Sequence, residues 1–268
     1  MTLRLTRKQF LTGAGASAMA LAARPALAAR PFRIKCGVDM PPTHPIVTNA
    51  VKAAAKIKDA TKGAVQVQVF PNNQLGNDTH MLSQVRSGAI QMMMIGDSDL
   101  AVLVPECSIT NVGFAFKNSD AAYRAVDGQL GHMVRAKIEK AGLHPLPLAW
   151  DEGLRQMTSG TRPIKTPADL HGFKMRVPPS PVLLTLFESL GASPVSINIS
   201  ELYTSLQTHV ADGEENSLAV IELERLYEVQ KYCAMTNHMW VGYWNVVNGA
   251  YWKTIPAEYQ TIIADAFD

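Results

Sequence analysis

A chain of 268 residues that is 47% hydrophobic and 18% charged describes an ordinary globular protein. Such a composition excludes disorder, collagen-like repeats and a coiled coil. The formal charge of +2 comes from the N-terminus: Arg4, Arg7, Lys8 and Arg24 fall in an acid-free leader, and the remainder carries 21 basic against 23 acidic residues. A slightly acidic chain is a poor partner for nucleic acid or an anionic membrane surface.

Residues 1–28 read as an export signal. A basic stretch ending in Arg7-Lys8 precedes an Ala-rich apolar run from Phe10 to Ala23, and Ala26-Leu27-Ala28 offers the small-x-small pattern of a signal-peptidase site. The segment Thr6-Arg7-Lys8-Gln9-Phe10-Leu11 is similar to a twin-arginine export motif, with Lys8 in place of the second arginine. A general secretory signal is the other reading. The apolar run is shorter than the ~20 residues a membrane span needs. Localisation is therefore expected to be periplasmic, with cleavage after Ala28 and no membrane span. Cys36, Cys107 and Cys233 match no metal-ligand spacing and are expected as buried free thiols.

Beyond the leader, strand-like and helix-like segments alternate. Phe32, Ile34, Cys36 and Val38 mark a half-buried strand. Pro45 to Lys62 has helical spacing and ends at Gly63; Val65, Val67 and Val69 form a second strand stopped by Pro71. Asn77 caps a helix carrying Met81, Leu82 and Val85, and Ile90 to Ile95 is a strand buried on both faces. Asp120 to Lys140 is expected as a helix and Leu143 to Ala149 as a strand. After Trp150 the pattern restarts: strand Phe173 to Val177, helix Pro181 to Leu190, strand Pro194 to Ile197, a helix capped by Ser200, and a helix from Ser217 to Tyr227. Lys231 to Met235 and Val241 to Val247 are two further strands, and Pro256 starts a last helix. This order predicts an α/β protein with a largely parallel sheet, helices on both faces, two lobes and a ligand cleft between them.

Catalytic signatures are missing from the sequence. The seven histidines form no HExxH or paired spacing, and there is neither a phosphate-binding glycine loop nor a GxSxG elbow. Glu214-Glu215 reads as a solvated turn, since adjacent carboxylates there diverge. No enzyme activity, cofactor or metal is expected.

Three stretches combine charge and turn residues in a way that core packing does not explain. They are Trp150 to Thr158, which holds Gly153 and Arg155; Ala168 to Pro178, where Arg176 sits inside an apolar strand; and Leu206 to Asn216. An arginine flanked by apolar strand residues must send its head into a cleft. With VFPNNQLGN (Val69 to Asn77) and GASPVSINISELYTSLQTHVADGEEN, the chain resembles the periplasmic solute-binding proteins of tripartite ATP-independent periplasmic (TRAP) transporters, the DctP-like family, from about Phe32 onward.

The resemblance implies a two-lobed periplasmic-binding-protein fold: lobe I over 29–151, lobe II over 152–240 and a return into lobe I over 241–268. It implies that Arg176 forms a two-pronged salt bridge with the ligand carboxylate, that Arg155 reaches the same carboxylate or a distal polar group, and that the Asn216 amide donates to it. A planar guanidinium that stays charged when desolvated suits that task. Asp39, the Gly96-Asp97-Ser98 segment, Ile199 and His238 are implied as further pocket positions, with a structural histidine as the other reading of His238; Trp240, Tyr243 and Trp244 read as pocket walls or as core. Two departures stand out. Glu214 replaces the usual Gln before Glu-Asn, and the sequence stops at Asp268 where members continue, so a fragment or a C-terminally truncated form is expected.

The function implied is capture of a small organic anion and its delivery to TRAP membrane permease subunits; presentation to a sensory receptor is the alternative. With Ile199, Met92-Met93-Met94 and Trp240 to Trp244 taken as apolar walls, a monocarboxylate with a hydrophobic tail is expected, such as a 2-oxo or 2-hydroxy acid. Asp39, Asp97 and Glu214 are the residues that would instead select a hydroxylated ligand.

Overall fold

The computed structural model describes residues 31–268. The export signal and its cleavage site lie outside the described residues. Eight strands join in one sheet of order β2-β1-β3-β8-β4-β7-β5-β6. These are β1 (Phe32–Val38), β2 (Val65–Phe70), β3 (Met92–Gly96), β4 (Leu143–Ser159), β5 (Met175–Val177), β6 (Val195–Ser196), β7 (Gly213–Ser217) and β8 (Tyr232–Asn248).

The sheet is mixed rather than largely parallel. β1 pairs in parallel with β2 and β3, and β5 with β6 and β7, but β3–β8, β8–β4 and β4–β7 are antiparallel. The antiparallel centre comes from two strands that run far beyond their expected ends. β4 continues through Trp150 and Gly153 to Ser159, and the two late strands are one, β8. Three register shifts interrupt their pairing, between Pro145 and Ala149, Asp151 and Gly153, and Arg155 and Met157. Each breaks the period-2 alternation by which a strand is recognised, so one bent ribbon reads as several short pieces.

The ribbon links the halves of the sheet. β8 meets β3 through Tyr243 to Val247, and β4 meets β7 through Arg155 to Ser159. Alternation divides the core into two layers, one on each face. Met92, Met94, Val241 and Tyr243 pack with helices Pro45–Ala60 and Ala257–Ala266. Met93, Ile95, Trp240 and Trp244 pack with helices Asp78–Ser87 and Gln129–Lys140.

Most local signals hold. The Asn77 side chain accepts from the His80 N–H, Gly88 ends that helix at φ +82°, and Pro256 stands at the head of Ala257–Ala266. The helix expected over Asp120 to Lys140 is two, Ser119–Val126 and Gln129–Lys140, because Asp127-Gly128 interrupts it. Ser200 lies inside a short 3-10 turn rather than capping a helix. Cys36 and Cys107 are buried free thiols, whereas Cys233 is exposed near the start of β8. Among the described residues no helix is long and apolar enough to cross a membrane.

Candidate functional site

A small cavity lies where β5, β7 and the β4–β8 ribbon face the ends of β1 and β3. Arg176, Arg155 and Asn216 line it from one side, with Ile199 and Pro178. Asp39, Asp78, Ser98 and Asp99 line it from the other, with Met40, Val241 and Tyr243.

Arg176 reaches the cavity because β5 is a three-residue strand buried throughout: Met175 and Val177 face the core, so Arg176 faces the other way. It is 1% exposed. Its Nε donates to the Ile197 carbonyl at 2.8 Å, which orients the fork, and among the described residues no carboxylate lies within ion-pair distance of it. Burial lowers its pKa and the neighbouring Arg155 adds to that effect, against the pull of Glu214. A buried guanidinium lacking a partner acid is costly unless an anion meets it.

Arg155 differs. Its Nε donates to Glu215 Oε2 at 2.5 Å and its Nη2 to Glu215 Oε1 at 2.9 Å, a two-pronged pair, and Nη1 lies 3.6 Å from Glu152 Oε2. His238 Nε2 contacts the same Glu215 oxygen at 3.2 Å. Burial pushes the Glu215 carboxyl up, but Arg155 and His238 outweigh it and hold it below the usual carboxylate range. The charge of Arg155 is therefore already matched within the protein.

Glu214 and Glu215 correct the expectation of a solvated turn, since both are fully buried in β7. Successive strand residues face opposite ways. Glu214, in register with Arg176, accepts from Thr158 Oγ1 at 2.6 Å and from Asn216 Nδ2 at 2.7 Å. Glu215 turns to Arg155. One amide N–H of Asn216 is thus held by Glu214, and the second is free to serve a ligand.

The opposite side is acidic. Tyr243 Oη donates to both Asp39 oxygens, at 3.1 and 2.9 Å. Burial pushes the Asp39 carboxyl up to about 8, with Asp99 and Glu152 adding to it and the Tyr243 bond opposing it. Asp99 is raised to about 6 by burial, held back by Arg176 and Arg155. Asp78 and Glu152 are also raised, chiefly by burial.

Of the residues singled out from sequence, Arg176, Arg155, Asn216, Asp39 and Ile199 meet at this cavity, while Asp97, His238 and Trp240 do not line it. Asp97 instead ties loops together: it accepts from Thr110 Oγ1 at 2.6 Å, Asn111 Nδ2 at 2.8 Å and the Gly242 N–H at 3.2 Å. His238 stands behind Glu215. Trp240 is 1% exposed on the far layer, where Nε1 donates to Asp151 Oδ1 at 2.5 Å. Alternation explains the split, because Val241 and Tyr243 face the cavity and their neighbours Trp240 and Trp244 face away. Met92, Met93 and Met94 are fully buried in the core and form no wall, so that part of the apolar wall expected from sequence is corrected, while Ile199, Val241 and Tyr243 do line the cavity. Asp78, Asp99 and Glu152 were not anticipated. The helix N-terminal turn Asn77-Asp78 was the available signal.

Residues 37–268 match the model of bacterial extracellular solute-binding protein family 7, DctP. The chain is 34% identical over 210 residues to the 2,3-diketo-L-gulonate-binding periplasmic protein YiaO of Escherichia coli, covering 78% of this chain and 64% of that one. It superposes with a TM-score of 0.84, at 32% identity, on the TRAP periplasmic solute-binding protein of Sulfurospirillum deleyianum with bound succinate, covering 88% of this chain and 76% of that one. A Bradyrhizobium TRAP periplasmic solute-binding protein in complex with galacturonate gives 0.84 at 32% identity, covering 89% and 78%. Fold and sequence together define the periplasmic solute-binding class. The chain belongs to the DctP family, solute-binding protein family 7, and spans about two thirds of the length of the Escherichia coli relative.

Proposed function

We propose that this protein is the extracytoplasmic solute-binding component of a TRAP transporter and captures a small organic acid by its carboxylate. One observation carries the reading: Arg176 is buried, oriented through Nε and without a partner acid among the described residues, in a cavity that Asn216 also lines. A ligand carboxylate would accept two parallel bonds from the guanidinium and one from the Asn216 amide. Arg155, already paired with Glu215, acts mainly by adding positive potential and fixing the shape of the cavity. The binding lobes in this reading are 29–151 with 241–268, and 152–240. Export with cleavage after Ala28 and hand-over to permease subunits complete it, as family membership and the names of the relatives support.

The ligand body is polar. With the methionine strand and Trp240 away from the cavity, the apolar side chains Met40, Ile199 and Val241 share its lining with four acids and two arginines. Of the acids expected from sequence, a 2-hydroxy acid carrying further hydroxyls fits best. No catalysis is involved; the work is binding and closure, and a ligand drives closure only by preferring the closed form. Thermal unfolding of the mature chain with a panel of small organic acids tests this. A carboxylate at 100 times its Kd should stabilise by about 2.7 kcal/mol, and its neutral amide should give no shift. Equal shifts from acid and amide would refute carboxylate capture.

A further inference from the structure

The charges around the cavity do not balance. Arg155 is spent on Glu215, which leaves Arg176 as the cation for a ligand carboxylate. Facing it stand Asp39, Asp78 and Asp99, with Glu152 beside Arg155. Two of these acids point at something the protein does not supply. Asp78 is 5% exposed and its Oδ1 has no hydrogen-bond partner, and Glu152 is 8% exposed with Oε1 likewise unpartnered. Buried carboxyl oxygens lacking a donor are expensive, so a ligand group must reach them. An apolar tail cannot. A second carboxylate would add a negative charge to this wall with no cation left to answer it. A hydroxyl can, since it donates to an ionised carboxylate and accepts from a protonated one.

We propose that Asp39, Asp78, Asp99 and Glu152 form a hydroxyl-reading wall that makes the site selective for polyhydroxylated monocarboxylates, sugar acids in chemical class, against dicarboxylates and unsubstituted fatty acids. The inference rests on carboxylate capture at Arg176 and adds the selection at the other end of the ligand. Raised carboxyl pKa values agree with it, because so many buried acids beside two guanidiniums cannot all ionise.

Matched ligands isolate the effect. D-erythronate, butyrate and succinate share four carbons and differ in hydroxyls and in the second carboxylate; D-galactonate, hexanoate and adipate repeat the set at six. Titration calorimetry of the full chain at pH 7 should give a hydroxy acid at least ~100-fold tighter than both others at the chain length that binds. Succinate or adipate binding as tightly as the hydroxy acid, with that binding lost in Arg176→Ala, overturns the wall while leaving carboxylate capture standing. Failure of every acid overturns both. Asp99→Asn removes one negative charge from the half-buried end of the wall with little change of shape. It should narrow the hydroxy acid to dicarboxylate ratio at least ~5-fold. An unchanged ratio in a variant with a native circular dichroism spectrum rejects the electrostatic cause.

Discussion

At the scale of single residues, the site divides its labour between two arginines that look equivalent in sequence. Arg155 and Glu215 are a closed pair inside the protein, and removing one partner leaves a buried charge. Glu215→Gln should cost about 3–5 kcal/mol in urea unfolding, far more than an exposed pair would. A loss under 1 kcal/mol would mean that Arg155 finds another anion. Asp39 gives a pH signature of the opposite kind from ordinary carboxylates. Its carboxyl is raised to about 8 by burial, with Asp99 and Glu152 adding to the rise and the Tyr243 hydrogen bond opposing it. The folded state therefore holds a proton that the unfolded chain releases near pH 4. That contribution is complete below about pH 4 and is lost as pH rises through about 8. Asp39→Asn should flatten the fall of Tm across this window. An unaltered slope would place the proton elsewhere among Asp78, Asp99, Glu152 and Glu214. Arg176 was legible in sequence because an arginine between buried Met175 and Val177 has one place to go. Glu214 and Glu215 were not, because two adjacent acids look like a turn until a paired strand supplies Thr158 and Arg155 as their partners.

The elements that hold these residues are two 17-residue strands interrupted by bulges. Leu143 to Ala149 of β4, and Lys231 to Met235 and Val241 to Val247 of β8, were readable as strand-like runs. The stretches between were not, because Gly153 mimics a strand end and because β8 fits Met235 to His238 against the single residue Gln156. That bulge turns His238 inward to Glu215, and Gln156 pins it by exchanging bonds with Asn237, at 2.9 Å to the backbone N–H and 2.6 Å to the side chain. Gly153 sits at φ +113°, a conformation that L side chains rarely adopt, two residues before Arg155. A Cβ there would meet only Ser217 Cβ, at 3.8 Å, so the cost of Gly153→Ala is backbone strain rather than a clash. It should destabilise by about 1–3 kcal/mol in thermal unfolding and weaken ligand binding by shifting Arg155. Full stability in the alanine variant would show that the bulge can relax without cost.

At the scale of the whole molecule, the ribbon, the helix Ala257–Ala266 and Phe267 tie the last part of the chain to the first. Ile263 and Phe267 are buried in the same layer as β1. The Phe267 ring stacks on Trp150 at 5.5 Å, and the Trp150 Nε1 donates to the Phe267 carbonyl at 2.7 Å. Phe267→Ala should cost about 3–5 kcal/mol in urea unfolding with little change in the ligand ranking, since Phe267 does not line the cavity. An altered ranking would reveal coupling between this contact and closure. Class and family were legible because several motifs recur in one order along the chain. The mixed sheet was hidden, because strand direction depends on which long strands pair, and no local window contains that information.

Titration calorimetry of Arg176→Ala and Arg176→Lys beside the unaltered chain shows whether Arg176 meets the ligand carboxylate. Such a contact should give a loss of about 2–5 kcal/mol in binding for alanine, little rescue by lysine because it cannot reproduce the fork, and an unchanged circular dichroism spectrum. Affinity within threefold of the unaltered chain in the alanine variant would contradict it.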